Sequence, residues 1–365
     1  VSSAADLARR VDRACQSASG PVAVERAVAA VIREAMPYDA WCVLTVDPAT
    51  ALPTGGYHEE GVPADRTPHL AEIDARGEDA LALADLARSR SRVGTLSAAT
   101  GGQIDRSQRY REVLAPSGLE HEMRIAFSTN AGLWGAFVAF RAAGEPDFST
   151  AETQTVERAT RSVVGALRRE LLLTEISDDA AGPDGPGLVL LDRSLARRST
   201  TQAAERWLED LEDGLDRGRD LPLTVISVAG RARDVEAPQP VRARVRTRSG
   251  RWLTMHAERL GADGDISVIV EPTRPLELAA LIADAYGLTA REREVVHLLA
   301  LGHSRAEIAK QLVLSPHTVD DHVKRALAKV QVRSRAELTA KLFFDQNLPR
   351  MHADVPVGGT GWFLR

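Results

Sequence analysis

Apolar positions recur at helical spacing over residues 4–18 and 21–36, where Val24, Val28, Val31, Ile32 and Ala35 share one face until Pro37 breaks the run. A short β-type run, Ala40 to Val46, follows, with turns at Asp47 to Thr50 and at Thr54-Gly55-Gly56. Helical spacing returns over 66–76, 79–89 and 106–114, around a turn-rich stretch that ends at Gly101-Gly102. Glu120 to Ser128 and Leu133 to Arg141 then predict a hairpin across Asn130-Ala131-Gly132. Ser149, with Glu152 three residues on, opens one long helix from Thr150 to about Leu173. Val156, Thr160, Val163, Val164, Leu167 and Leu171 line one side of it; that stripe packs either on its own domain or on a second copy.

Residues 177–187, rich in Asp, Gly and Pro without apolar pattern, predict a linker. Beyond it come strands at 188–191 and 196–199, a helix over 202–211, a hairpin of 241–248 with 251–259 around Ser249-Gly250, and a last strand at 266–270.

The C-terminal pattern is the most informative. Thr289/Glu292, Ser304/Glu307 and Ser334/Glu337 each have the spacing of a capping box, and Ser315-Pro316 supplies a fourth helix start. Only Val313, Leu314 and Ser315 separate the second helix from the third, so the two must cross sharply, as in a helix-turn-helix. Along the third helix Val319, Val323, Ala326, Leu327 and Val330 form one apolar stripe, while His317, Asp321, Lys324, Arg325 and Ala328 fall on the other side.

Charge sharpens this picture. Residues 288–343 hold ten Lys/Arg against six Asp/Glu, a local +4 within a chain of net charge −5, and all four lysines, Lys310, Lys324, Lys329 and Lys341, lie there. A basic end on an acidic body suits phosphate contacts, although a solvated domain surface would read the same way. The 365 residues suggest two or three domains. No apolar run approaches the length of a membrane span, and no leader of basic then apolar residues opens the chain, so a cytoplasmic protein is expected. Two cysteines, Cys15 and Cys42, fit neither a disulfide scaffold nor a CxxC metal site. No Ser/His/Asp set, glycine-rich phosphate loop or HExxH is legible, so neither an enzyme nor a cofactor is expected.

Leu288 to Val295, Ile308-Ala309, Leu314-Ser315, Thr318-Val319, His322, Lys329-Val330 and Arg333 to Leu338 resemble the LuxR-type helix-turn-helix of bacterial transcription regulators. The resemblance implies a four-helix domain whose third helix enters the major groove and whose fourth often pairs two copies. Carried onto this chain, it makes His317, Thr318, Asp320, Asp321, Lys324 and Arg325 the groove-facing candidates and Lys310, Lys329 and Arg333 the phosphate holders. Asp320 and Asp321 depart from the family, which usually has basic or neutral residues there. Asp321 then either accepts from a cytosine amino group beside a guanine read by Lys324, or pairs with Lys324 or Arg325 on the surface.

Residues 4–173 resemble a GAF domain through Pro37 to Trp41, Asp47-Pro48, Leu52 to Gly55, Gly132 to Gly135 and Phe148 to Glu152. The resemblance implies a cupped sheet able to enclose a small molecule, with Trp41, Leu44, Arg124, Phe127 and Phe137 as weak ligand-binding candidates. His58, His69 and His121 are weighed as metal ligands, but scattered histidines more often serve surface or core, and no metal is expected. Leu190-Leu191-Asp192 and Arg248 to Leu253 resemble a degenerate PAS domain, more a spacer or dimerising unit than a second sensor.

The expected fold class is thus multidomain α+β: a GAF-like α/β sensor over 1–176, the linker, a PAS-like middle domain over 188–275, an all-α four-helix LuxR-type helix-turn-helix over 276–345, and a tail over 346–365. The expected function is a one-component, ligand-responsive transcription regulator, a homodimer on double-stranded DNA answering to a small organic effector, with no membrane partner. Two alternatives stand beside it: an enzyme or ligand carrier that its C-terminal domain localises, and a small-molecule-binding or protein-interaction scaffold whose helix-turn-helix does not read DNA.

Overall fold

The computed structural model of the protein describes residues 4–59, 61–63, 65–130, 132–173, 185–211, 220–234, 240–261 and 264–344. Residues 177–184 of the expected linker and the whole of the 346–365 tail lie outside the described residues. The described residues up to Pro272 form one compact unit and those from Thr273 on a second.

The first unit opens with helices α1 (Ala4–Ser17) and α2 (Pro21–Ala35), strands β1 (Ala40–Val46) and β2 (Pro53–Glu59), and helices α3 (Thr67–Arg76) and α4 (Leu83–Leu86). Strand β3 (Val93–Thr95), helix α5 (Leu96–Thr100), strands β4 (Leu119–Thr129) and β5 (Gly132–Ala142), and helices α6 (Thr150–Ala159) and α7 (Val163–Leu173) follow. Then come β6 (Gly187–Leu191), β7 (Arg197–Thr200), α8 (Gln202–Leu211), α9 (Leu223–Asp234), β8 (Val241–Arg246), β9 (Trp252–Leu260) and β10 (Asp265–Pro272). Two antiparallel sheets result, with orders β2-β1-β5-β4-β3 and β7-β6-β10-β9-β8. Numbered within each sheet the two orders are the same, so the second half of the unit repeats the topology of the first.

Several expectations are corrected. Thr54-Gly55-Gly56 is not a turn: Gly55 and Gly56 pair with Thr45 and Leu44 inside the edge strand β2. The helix expected over 79–89 shrinks to the single turn α4, because Leu81 takes a left-handed φ of 62° and Asp79 turns aside to accept from the Ser107 hydroxyl and the Gln108 and Arg109 N–H groups. The turn-rich stretch before Gly101 contains β3 and α5. Over 106–114 the backbone widens to a π-helical turn at Tyr110–Leu114. The long helix begins with the expected box, Ser149 and Glu152 bonding reciprocally, but breaks at residues 160–162 into α6 and α7. The Thr160 hydroxyl there donates to the Val156 carbonyl, the side-chain back-bonding that loosens helices. Its stripe packs within the unit: Val156, Val163 and Leu167 are buried, with α6 against α1 and α7 against α2 and β5.

Helix α9 was not read from the sequence at all. Nine of its twelve residues are buried, so it has no polar face to betray its period. It lies on the inner face of the second sheet against β8, β9 and β10, and also touches α3 and β2. One apolar cluster runs through it, from Leu44, Ala71, Ala75 and Ala136 to Val189, Trp207, Leu253, Met255 and Val268. Polar ties repeat the link: Thr224 Oγ1 donates to Thr54 O at 2.6 Å, Arg233 Nη2 to Glu72 at 2.7 Å, Arg76 Nε to Asp234 at 2.6 Å, and Arg244 Nη2 to Asp47 at 2.9 Å.

On the other face of the first sheet, Glu25 of α2 is 1% exposed, and a Cβ at Gly135 would collide with its carboxyl. Burial pushes this carboxyl well above the usual carboxylate range, and the Ala136 backbone N–H offsets only part of that. The unfolded chain releases this proton at about pH 4.3, the folded chain at higher pH. The stability due to the neutral acid is therefore complete below that pH and is lost as pH rises toward the folded value. Glu25→Gln is expected to gain on the wild type in urea midpoint between pH 5 and 8; a difference that does not change with pH would show that Glu25 does not titrate there.

Candidate nucleic-acid interface and an apolar cavity

The second unit holds α10 (Pro275–Ala285), α11 (Ala290–Ala300), α12 (Arg305–Leu312), α13 (Pro316–Val330) and α14 (Arg335–Thr339), the last running into a π-helical turn at Ala340–Phe344. Four helices start where their caps place them, and α10, which packs on that last turn, is an addition. The Thr289 and Ser304 boxes are reciprocal. At Ser334 the hydroxyl accepts from the Glu337 N–H at 3.1 Å, but Glu337 answers the N–H of Arg333 instead of Ser334.

Between α12 and α13 the chain reverses at Val313, which is left-handed at φ 55° and 90% exposed, while Leu314 N donates back to Ala309 O at 2.8 Å. The Ser315 hydroxyl caps α13 by accepting from the Thr318 N–H at 3.0 Å. Val319 and Val323 bury against Val295, Leu298, Ile308 and Ala309, with Leu327 packed beside them, and Ala326 and Val330 are buried farther along the same side. The stripe thus fixes the roll of the helix. His317, Lys324 and Arg325 are left exposed and Asp321 and Thr318 half-exposed, while Lys310 and Arg333 are exposed on flanking segments.

Two candidates face elsewhere. Asp320 accepts from Arg305 Nη1 at 2.7 Å and Arg335 Nη2 at 3.2 Å, tying the starts of α12 and α14 to α13. The Arg305 hydrogen bond, with the charges of Arg305 and Arg335, holds its carboxyl below the ordinary aspartate value. Lys329, expected on a phosphate, is exposed, but its ammonium is engaged within the domain: Nζ donates to Glu292 Oε2 at 2.6 Å and to Gly287 O at 3.0 Å. Glu292 is 3% exposed; burial alone would raise its pKa, but the lysine and the Thr289 cap outweigh that and lower it. Asp321 meets His317, with Nδ1 3.3 Å from Oδ2, and not Lys324 or Arg325 as weighed from the sequence.

A second feature lies in the first unit. A cavity of about 50 Å3 is lined by Trp41, Leu44, Val62, Leu70, Val138, Phe140 and Leu223, with Cys42, Asp74 and Arg124 at its polar places. Of the ligand-binding candidates, Trp41, Leu44 and Arg124 line it. Phe127 and Phe137 do not: alternation along β4 and β5 sends them to the opposite face, where Phe137 packs edge-on to Tyr38 at 5.7 Å. Arg124 is one of five clustered charges, of which Arg109, Glu122 and Arg124 are buried and Asp74 and Asp79 half-buried. Its Nε donates to Glu122 at 2.7 Å and its Nη2 to Asp74 at 3.1 Å, and Arg109 donates to Glu122 at 2.8 Å and Asp79 at 3.0 Å. Burial alone would raise the Glu122 carboxyl, but Arg109 and Arg124 outweigh it and hold the group below its ordinary value. Burial pushes the Cys42 thiol up to about 12.

His69 meets Glu112 at 2.7 Å, His121 meets Glu145 O at 2.8 Å, and the side chain of His58 lies outside the described residues. Among the described residues no group of three or more His, Cys, Asp or Glu is placed to hold a metal ion, and no helix is long and apolar enough to cross a membrane.

Residues 287–342 match the profile of bacterial regulatory proteins of the luxR family. The spore germination protein GerE of Bacillus subtilis is 40% identical over 55 residues, which are 15% of this chain and 74% of that protein. The nitrate/nitrite response regulator protein NarL of Escherichia coli K12 is 26% identical over 148 residues, 40% of this chain; the chain spans 61% of its length. Among solved structures, the GAF domain of an Acinetobacter phosphoenolpyruvate-protein phosphotransferase superposes loosely, with a TM-score of 0.34 and 12% identity over 47% of this chain and 97% of that one.

Proposed function

The chain belongs to the luxR family of bacterial regulatory proteins, and from that premise we propose that it is a one-component transcription regulator that binds promoter DNA as a homodimer through α13 and answers to a small effector. The observation that carries this reading is the roll of α13. A buried stripe and a three-residue turn leave His317, Asp321, Lys324 and Arg325 on its outward side, the side a groove would meet. Asp320 does not stand against that reading, since two arginines within the domain answer its charge.

Base reading falls to Asp321 and Lys324, with Lys310 and Arg333 on phosphates. An aspartate at that place accepts from a cytosine amino group, and Lys324 donates to a neighbouring guanine. Asp321→Ala is expected to relax preference at one base position by about 1–3 kcal/mol in a selection from random DNA. An unchanged consensus with uniformly tighter binding would leave only repulsion of the backbone. Affinity of the wild type should fall steeply with salt; salt-independent binding, or a monomer at working concentration, speaks against the whole reading. Binding that ignores sequence altogether favours the scaffold alternative.

A further inference from the structure

The cavity described above has one feature that its apolar walls do not account for. Arg124, 1% exposed, lines it, and its Nη1 is buried without a hydrogen-bond partner among the described residues. That nitrogen lies 2.9 Å from Asp74 Oδ1, a contact that is Coulombic without being hydrogen-bonded. A buried donor left in this state is costly, and an acceptor placed in the cavity relieves it.

The surrounding charges decide what kind of acceptor. Arg109 and Arg124 are matched by Glu122 and Asp74, all four in mutual contact. Asp79 shares Arg109, through Nη1 at 3.0 Å, and also accepts from the Ser107 hydroxyl at 2.7 Å and the Gln108 and Arg109 backbone N–H groups at 3.0 Å, so two guanidinium groups answer three carboxylates. A guest carboxylate would add a fourth negative charge to them. A guest ammonium has no lone pair to offer Arg124 Nη1 and would set a third cation beside it, whereas a neutral oxygen accepts from that nitrogen without adding charge. Size is limited as well: an apolar cavity of about 150 Å3 holds benzene, so about 50 Å3 suits a smaller guest.

We propose that this cavity is a binding site for a small neutral molecule with an apolar body and one acceptor oxygen, a ketone, ether or amide carbonyl, that meets Arg124 Nη1. The inference rests on the effector-responsive reading and names the chemistry that reading leaves open. The apolar body lies among Leu44, Val62, Leu70, Val138, Phe140 and Leu223. Leu223 is the first residue of α9, so the second half of the unit supplies part of the wall.

The test uses the full chain without DNA and four probes of five heavy atoms: 2-butanone, its isostere 2-methyl-1-butene, propionate and sec-butylammonium. Ligand-observed NMR titration should give 2-butanone a dissociation constant at least fivefold below that of the alkene, with no saturable binding of either ion. Ala71→Phe, which fills the cavity from α3, should abolish ketone binding while the chain still unfolds cooperatively. Equal affinity for ketone and alkene, tighter binding of either ion, or ketone binding that survives Ala71→Phe would overturn the proposal. Because no DNA is present, failure of the DNA-binding reading leaves these constants where they are. Ketone binding that leaves DNA affinity untouched would remove the effector role and keep the site.

Discussion

Glu122→Gln is expected to destabilise the first unit by about 3–5 kcal/mol, the loss typical when one partner of a buried ion network is removed. The side chain is 1% exposed and accepts from Arg109 Nε and Nη2 and from Arg124 Nε, so both guanidinium groups lose their shared counter-charge at once. Glutamine keeps the volume but cannot restore the charge, and its amide nitrogen would face a guanidinium. Desolvating the two arginines then goes unrepaid. Calorimetry of the full chain, read as the shift of the transition that belongs to residues 4–272, checks the outcome; a loss under about 1 kcal/mol would mean that water reaches the cluster and screens it. Replacing Glu122 alone tests the pairing, whereas replacing all five charges together with apolar groups of matched volume need not destabilise at all.

Lys329→Met should cost the second unit about 1–3 kcal/mol, because it leaves the carboxylate of Glu292, 3% exposed, without its counter-charge, while water that reaches the 35% exposed lysine site screens part of the loss. This outcome separates two roles that a DNA-binding assay alone confuses. A phosphate-holding lysine, once removed, weakens all sequences alike and lowers the salt slope by about one. A lysine that holds α11 to α13 changes the fraction folded and leaves the slope of the folded fraction intact. Adding Glu292→Gln to Lys329→Met should recover much of the lost stability, since no uncompensated charge then remains; a double-mutant cycle with no coupling would disprove the pairing.

The helix starts of the second unit were legible because a cap is written within four residues: Thr289/Glu292 and Ser304/Glu307 form as spaced. The hairpin of β4 and β5 was legible for the same reason, its turn chemistry being local. What escaped was set by distant partners. Glu292 and Lys329 are 37 residues apart and Arg305 and Asp320 are 15 apart, and no pattern within a single helix tells a lysine paired with a distant carboxylate from one without such a partner. Helix α9 escaped for the opposite reason: Leu223 to Ala229, interrupted only by the small hydroxyls of Thr224 and Ser227, is apolar and partly β-branched with no clear amphipathic period, as a buried strand would be. Gly55 and Gly56 looked like a turn because glycine's commonest use hides its tolerance of an edge strand. Trp41, Leu44, Phe127 and Phe137 stand out in the sequence only as large apolar residues of strands, with Arg124 the one convergent charge. Alternation counted from Leu44 and Arg124 removes Phe127 and Phe137, whereas Trp41, whose ring lies 6.3 Å from that of Phe137, lines the cavity in spite of it.

Helix α9 also bears on how such a chain can be inherited. Two halves of like topology look like interchangeable modules, yet this helix belongs to the second by sequence while its Leu223, Thr224 and Arg233 complete walls and bonds of the first. A recombination that kept one half and replaced the other would leave Thr54 O, Glu72 and the apolar face of α3 facing a helix shaped for another partner. Among relatives that carry both halves, crossover points are therefore not expected within 4–272, so that the pair of sheets travels as one heritable block.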